Sequence, residues 1–321
     1  MLKKRILPSL WLITMITIFI VTLVSHKPYF IMGGSTSISP LMHTLMNYYP
    51  DNHKEADFTY NSLGSDAAVI PVNKNMFAIG WLSKEYTTTN NNLISFVLSK
   101  DGMILVYNLP QNCLGNDKPL NFTQDKAKQM YLTTSPILWK DLFPEKSSDP
   151  NQGWVKATCN LKVLPYTREN GSGTRDVFNE KVLGNSQAYY PQAITVNSST
   201  QMFSMSAGGV GYSSYSDKKQ LFSNPQFANI HIANWENVIP SLDTIKNNTY
   251  HLARPFTGLI NKNFKQINSL IKFLKFLFVN DYPGHNEYVV PAFKEDQYAQ
   301  AAVPLNDEVN KNLQKWLNEF P

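Results

Sequence analysis

Three times along this chain a short apolar run ends in a turn of glycine, serine and threonine and passes into a helical pattern. The turns are Gly33-Gly34-Ser35-Thr36-Ser37-Ile38-Ser39-Pro40, Gly64-Ser65-Asp66-Ala67-Ala68-Val69 and Arg168-Glu169-Asn170-Gly171-Ser172-Gly173-Thr174-Arg175. Apolar runs alternating with helical patterns are the signature of α/β architecture. Pro28–Met32 and Phe77–Leu82 read as buried strands, and Val163–Thr167 as a strand entering the third turn. A helix is expected from near Pro40, with Leu41, Leu45 and Tyr48 on one face. Another runs from Thr174 to about Leu183, stopped by Gly184. Ile94–Leu98 and Met103–Tyr107 read as two strands separated by a turn at Lys100-Asp101-Gly102. Lys265–Val279 reads as an amphipathic, core-facing helix, too interrupted by Lys and Asn to span a membrane.

With 321 residues the chain has room for about two domains with real cores. The formal charge of +5 divides unevenly. Lys3, Lys4, Arg5 and Lys27 lie in the first 28 residues, which hold no acid, so the remainder carries 25 basic against 24 acidic residues. A nearly neutral body argues against nucleic-acid binding, and any anion it binds needs a local site. Ile6–Val24 is a 19-residue stretch without charge, long enough to cross a hydrocarbon core as a helix. The cations ahead of it place the N-terminus in the cytoplasm and the body outside. We read residues 1–28 as an uncleaved membrane anchor; a cleaved signal segment is the alternative, with the body then exported. Cys113 and Cys159 are the only cysteines, and the sequence leaves open whether they pair. No CxxC, HExxH or clustered histidines argue for a metal, and no cofactor is expected.

The chemistry concentrates in the three turns. The first N–H groups of a helix lack internal partners and carry partial positive charge, so helix starts hold tetrahedral anions. Glycine lets the backbone approach closely, and serine and threonine hydroxyls donate at the same place. Arg168 adds a planar fork for two anion oxygens. Each turn alone is also compatible with ordinary helix capping.

The turns, together with Ile79-Gly80 and Ser83-Lys84, resemble the phosphate-binding proteins of ABC-type phosphate importers. Ile137-Leu138-Trp139-Lys140-Asp141, Gly208-Gly209-Val210-Gly211-Tyr212 and Tyr250-His251-Leu252-Ala253-Arg254-Pro255 match further stretches of that family in the same order. The resemblance runs from about Tyr29 to Leu305. It implies an α/β, two-lobed type II periplasmic-binding-protein fold with two interlobe crossings. Here that means lobe 1 from residues 29–107 plus 257–321, lobe 2 from 108–256, and a transmembrane helix ahead of both. It implies that Thr36, Ser37, Ser65 and Ser83 hold phosphate from the first lobe, and Arg168, Ser172, Gly173 and Thr174 from the second.

The function so implied is a non-catalytic, monomeric receptor on the extracellular side of the cell membrane. It would bind inorganic phosphate and pass it to ABC permease subunits. Lys84 stands where many members carry an acid that accepts the proton of hydrogen phosphate, which opens the question of sulfate. Asp66 is the candidate substitute acceptor. The alternatives are a receptor for another tetrahedral oxyanion, a phosphate sensor, a secreted phosphatase, or an adhesin. A phosphatase would need a nucleophile with a base, or metal-bound water, and the sequence shows neither arrangement.

Overall fold

A computed structural model of the chain describes residues 29–53, 56–145, 151–188, 190–295 and 303–320. The anchor expected at residues 1–28 lies outside the described residues, among which no helix is long and apolar enough to cross a membrane.

Eleven strands occur among the described residues. They are β1 (Tyr29–Gly34), β2 (Asp57–Ser62), β3 (Ile79–Leu82), β4 (Leu93–Asn108), β5 (Asn121–Phe122), β6 (Leu164–Arg168), β7 (Ile194–Val196), β8 (Gly209–Ser214), β9 (Ile230–Ile232), β10 (Asn234–Trp235) and β11 (Ala253–Asn261). Their order is β2-β1-β3-β11-β4-β8-β6-β7, with β9 also on β4 and β5 paired to β10. β1 is parallel to β2 and β3, and β6 is parallel to β7 and β8; β11 and β4 run antiparallel through the middle.

The apolar side chains gather in two large clusters, which gives the chain two lobes. One holds Phe30, Leu41, Leu45, Tyr49, Trp81, Phe96 and Phe256, with Leu270, Phe273, Leu274 and Leu277 of the Ile267–Phe278 helix. The other holds Met103–Tyr107, Phe122, Trp139, Phe178, Tyr212 and Leu252. Only β4 and β11 belong to both: Ile94, Phe96 and Leu98 pack in the first cluster, while Ile104, Leu105 and Val106 of the same strand pack in the second. In the second lobe, the Trp139 indole N–H donates to Gly208 O at 2.9 Å, tying two of the sequence motifs together. Cys113 and Cys159 pair, with Cα atoms 5.0 Å apart.

The expected turn at Lys100-Asp101-Gly102 does not form, because β4 runs through it as one 16-residue strand. Arg254 stands opposite Asp101 in the ladder, and the two form a buried ion pair. A Cβ on Gly102 would lie 2.4 Å from Ile245 Cδ1, so the glycine makes room for a helix side chain. The expected Thr174–Leu183 helix is also modified: an α-helical turn, Gly173–Val177, passes into a π-helical one, Phe178–Val182. Gly184 follows with φ +64°, as a stop signal predicts.

Candidate functional site

The three glycine-serine turns meet between the lobes. In the first lobe, Gly34 ends β1 with φ +125°, and a Cβ there would lie 2.3 Å from Trp81 O. Only glycine permits that approach. Around it, Ser35 N donates to Trp81 O at 2.8 Å, while Leu63 N and Gly64 N donate to Gly34 O at 2.9 and 2.8 Å. The loop after β1, the turn at Gly64-Ser65 and the end of β3 are thereby held together. Ser65 Oγ accepts from Ser83 N at 3.1 Å and shares a hydrogen bond with Ser83 Oγ at 3.2 Å.

In the second lobe, β6 delivers Arg168 at its last residue. Gly171 turns the chain with φ +82°, and Ser172 caps the Gly173–Val177 helix by accepting from Arg175 N at 3.4 Å. Glu169 grips Arg168 from one side: Nε donates to Oε2 and Nη2 to Oε1, each at 2.8 Å. This fork fixes the guanidinium plane and leaves its other edge for further contacts.

One of those contacts crosses the cleft and the other stays within the lobe. Arg168 Nη2 donates to Thr36 Oγ1 at 2.9 Å, and Nη1 to Ser199 Oγ at 2.8 Å. Ser37 Oγ lies 3.2 Å from both Thr174 Oγ1 and Ser199 Oγ. Gly173 backs directly onto the Ser65–Ser83 pair: a Cβ there would come within 2.4 Å of Ser65 Oγ and 2.8 Å of Ser83 Oγ. Asp66 N donates to Gly171 O at 3.1 Å, joining two turns across the cleft. Ser37, Ser65, Ser83, Arg168, Ser172 and Thr174 are no more than 2% exposed, and Thr36 is half-buried. Seven of the eight expected residues therefore make contacts in one interlobe assembly, while the Ser172 hydroxyl caps its own helix.

Sequence reasoning missed two members of this assembly. Ser199, just ahead of a short 3₁₀ turn, completes the hydroxyl set; Ser198-Ser199-Thr200 was a small polar cluster without a distinguishing pattern. Arg254 donates through Nε and Nη2 to Asp101 Oδ2 at 3.1 and 2.8 Å, and Nη2 also reaches Ser37 Oγ at 3.4 Å. Its place in the crossing motif was the available signal. Asp66 is more than half exposed and accepts from Lys84 Nζ at 2.7 Å, so its carboxylate is committed to an ion pair. Lys84 bonds no hydroxyl of the assembly and instead joins Asp66 and Asp176.

Behind the hydroxyls lies a second buried network. Ser213 Oγ donates to Asp217 Oδ2 at 2.6 Å and to Ser199 O at 3.1 Å, while Ser214 Oγ donates to Asp101 Oδ2 at 2.6 Å. Burial pushes the Asp217 carboxyl up to about 6; the Asp101 charge adds to this, and the Ser213 hydroxyl and Ser214 N–H oppose it. No group of three or more His, Cys, Asp or Glu side chains suited to a metal ion occurs among the described residues. The assembly is a cage of donors. Two guanidiniums, several hydroxyls and a helix start converge from both lobes, which is the chemistry that holds a small oxyanion.

Comparison with known proteins gives the same architecture. The chain is 23% identical to the uncharacterized lipoprotein MG412 of Mycoplasma genitalium, an alignment covering all of this chain and 97% of that one. It is 20% identical to the phosphate-binding protein PstS of Staphylococcus epidermidis over 87% of this chain and 83% of that one. Among solved structures, an ABC-type phosphate transport receptor from Vibrio cholerae superposes with a TM-score of 0.59 at 25% identity, covering 84% of this chain and 98% of that one. A phosphate ABC transporter substrate-binding protein from Clostridium perfringens, solved with phosphate bound, gives 0.63 at 18% identity over 86% and 99%. The family model for the PBP superfamily domain matches residues 25–281, most of the chain, and the protein belongs to the periplasmic-binding-protein (PBP) superfamily.

Proposed function

We propose that this protein is an extracytoplasmic receptor that captures inorganic phosphate between its lobes and delivers it to the permease of an ABC transporter. One observation carries the reading: Arg168, fixed by Glu169, reaches Thr36 of the opposite lobe and Ser199, beside the shared hydroxyls of Ser37 and Thr174. Bonds between neutral hydroxyls are modest, whereas bonds to an ionised oxygen are roughly twice as strong. An anion that took up these donors would make both lobes its ligands, so its binding energy would favour the closed arrangement. Lobe 1 would be built on residues 29–98 with those from 256 onward and lobe 2 on residues 103–252, hinged on the stretches of β4 and β11 between them. Residues 1–28 would hold a monomeric receptor at the membrane. The relatives named as phosphate-binding proteins and the phosphate-bound structural neighbour support the choice of ligand.

A second reading, another tetrahedral oxyanion such as sulfate, follows from the acids around the cage. Asp101, Glu169 and Asp66 are bonded to Arg254, Arg168 and Lys84 respectively, so their charge is already paired. Calorimetric titration of the purified chain with phosphate, sulfate and molybdate decides between them. The expected result is micromolar or tighter binding of phosphate with weaker competition by the others. Binding of sulfate or molybdate without heat from phosphate overturns the assignment.

A further inference from the structure

Lys84 is rooted in one lobe and reaches the other. It follows Ser83 at the end of β3, and its carbonyl oxygen accepts from Thr257 Oγ1 of the crossing strand β11 at 2.8 Å. Its Nζ donates to Asp66 Oδ1 at 2.7 Å, just beyond the Gly64-Ser65 turn of the same lobe. The same atom donates to Asp176 Oδ2 at 2.5 Å, on the Gly173–Val177 helix of the opposite lobe. The Lys84 side chain is about a quarter exposed. Burial works against its charge, but hydrogen bonds and Coulomb attraction from Asp176 and Asp66 outweigh that and raise it above the ordinary lysine value.

We infer that Lys84 is an interlobe latch: it ties Asp66 to Asp176 only when the lobes are together, and so sets the closed fraction of the anion-free protein. The affinity consequence rests on the receptor reading above, while the conformational one does not. An ion triad that exists only in the closed form shifts the open–closed equilibrium by its own free energy. The apparent dissociation constant then scales inversely with the closed fraction. Lys84 sits beside Ser83, and Asp176 lies two residues beyond Thr174, so the latch acts on the segments that present the hydroxyls. It is a positioning residue and does not touch the anion. Asp66 and Asp176, two carboxylates against one ammonium, leave the triad with a net negative charge, unsuited to drawing an oxyanion directly.

Three full-chain variants, Lys84→Met, Asp176→Asn and the double, separate the latch from a direct contact. Two measurements are made on each: phosphate affinity by calorimetry, and the interlobe distance without anion from a pair of spin labels placed on the two lobes. The expected result is a roughly two- to fivefold loss of affinity for each single variant, the range of a partly exposed ion pair acting on one equilibrium. The double should be no worse than the more damaging single, since one interaction is lost only once. The anion-free distance distribution should shift to longer values in all three. A tighter Asp176→Asn protein, or unchanged distances, overturns the latch: the first is expected if Lys84 itself holds the anion and losing a competing carboxylate frees it. If the wild-type chain gives no heat with phosphate, the receptor reading fails, and the distances alone still decide the latch.

Discussion

Asp101 and Arg254 face each other across the β4–β11 ladder, and the guanidinium donates twice to one carboxylate oxygen, at 3.1 and 2.8 Å, with both side chains essentially excluded from solvent. The pair sits on the two strands common to both cores, and Arg254 extends from it toward Ser37. Removing one partner of such a pair leaves an uncompensated buried charge, which costs about 3–5 kcal/mol. Asp101→Ala is therefore expected to destabilise the chain by that order, read from urea unfolding with an unchanged m-value. A cost below ~1 kcal/mol would mean that water reaches the guanidinium and the crossing is looser than the geometry states.

Arg168 is the donor that spans the assembly, and its planar shape matters as much as its charge. The Glu169 fork uses Nε and one edge of Nη2, and the contacts to Thr36 and Ser199 use the other edge of Nη2 and one hydrogen of Nη1. A lysine offers a point charge without this fork. Arg168→Lys should therefore weaken phosphate binding by about tenfold or more, and Arg168→Ala by ~100-fold, corresponding to the 1.5–3 kcal/mol of hydrogen bonds to charged groups. Lys84→Ala should cost much less. Calorimetry giving the reverse order would relocate the recognition centre.

The glycine-serine turns were legible because their chemistry is local: a positive-φ glycine and a hydroxyl lie within a few residues of each other. Convergence of those turns was not legible, since it depends on β1, β3 and β6 being brought side by side from distant parts of the chain. Lys100-Asp101-Gly102 shows the same limit from the other direction. Its residues favour a turn, and what keeps them extended is Arg254, 153 positions away. Tertiary pairing of that kind overrides local propensity and leaves no trace in the segment itself. Ser199 had no apolar period or glycine to mark it, and enters the assembly only because β8 and the second core carry it there. Cysteine pairing was undecidable for the same reason, with partners 46 positions apart.

The disulfide makes a separable prediction, because Cys113 and Cys159 belong to the second core and to no part of the anion cage. Closing a loop of that length in the unfolded chain accounts for roughly 4 kcal/mol in the chain-entropy description. The Cys113→Ser/Cys159→Ser protein should thus unfold at lower temperature while keeping its phosphate affinity within about twofold when folded. A large loss of affinity with intact folding would show that the second lobe depends on the bridge for the placement of β6.

Asp217 gives a pH dependence with a definite sign. Its carboxyl is raised from 3.8 to about 6 in the folded protein, so between those values the folded state holds a proton that the unfolded state has lost. The stability this provides is fully present below about pH 4 and is lost as pH rises through 6, a change of ~3 kcal/mol for a shift of that size. Asp217→Asn keeps an acceptor oxygen for the Ser213 hydroxyl and the Ser214 N–H but cannot ionise. Unfolding by urea at pH 4.5 and 7.5 should therefore show a smaller loss on going to the higher pH in the variant than in the wild type. Equal differences would place the Asp217 transition outside that window.

Gly173 offers the sharpest separation of stability from binding. Its backbone meets the Ser65 and Ser83 hydroxyls of the opposite lobe, where a Cβ would intrude to 2.4 and 2.8 Å. Within its own lobe the glycine is the first residue of a helix, where alanine is the better helix former by up to ~1 kcal/mol. The substitution Gly173→Ala thus has opposite effects on two quantities. Thermal stability without anion should be unchanged or slightly higher, because the open protein gains helix propensity and suffers no clash. Phosphate affinity should fall roughly 5- to 150-fold, the consequence of about 1–3 kcal/mol of overpacking felt only when the lobes come together. Differential scanning calorimetry and isothermal titration on the same preparation measure both. If affinity survives intact, the two lobes do not close on Gly173 in the bound state, and the anion must be held in a wider cleft than the one formed by Ser37, Thr174 and Ser199.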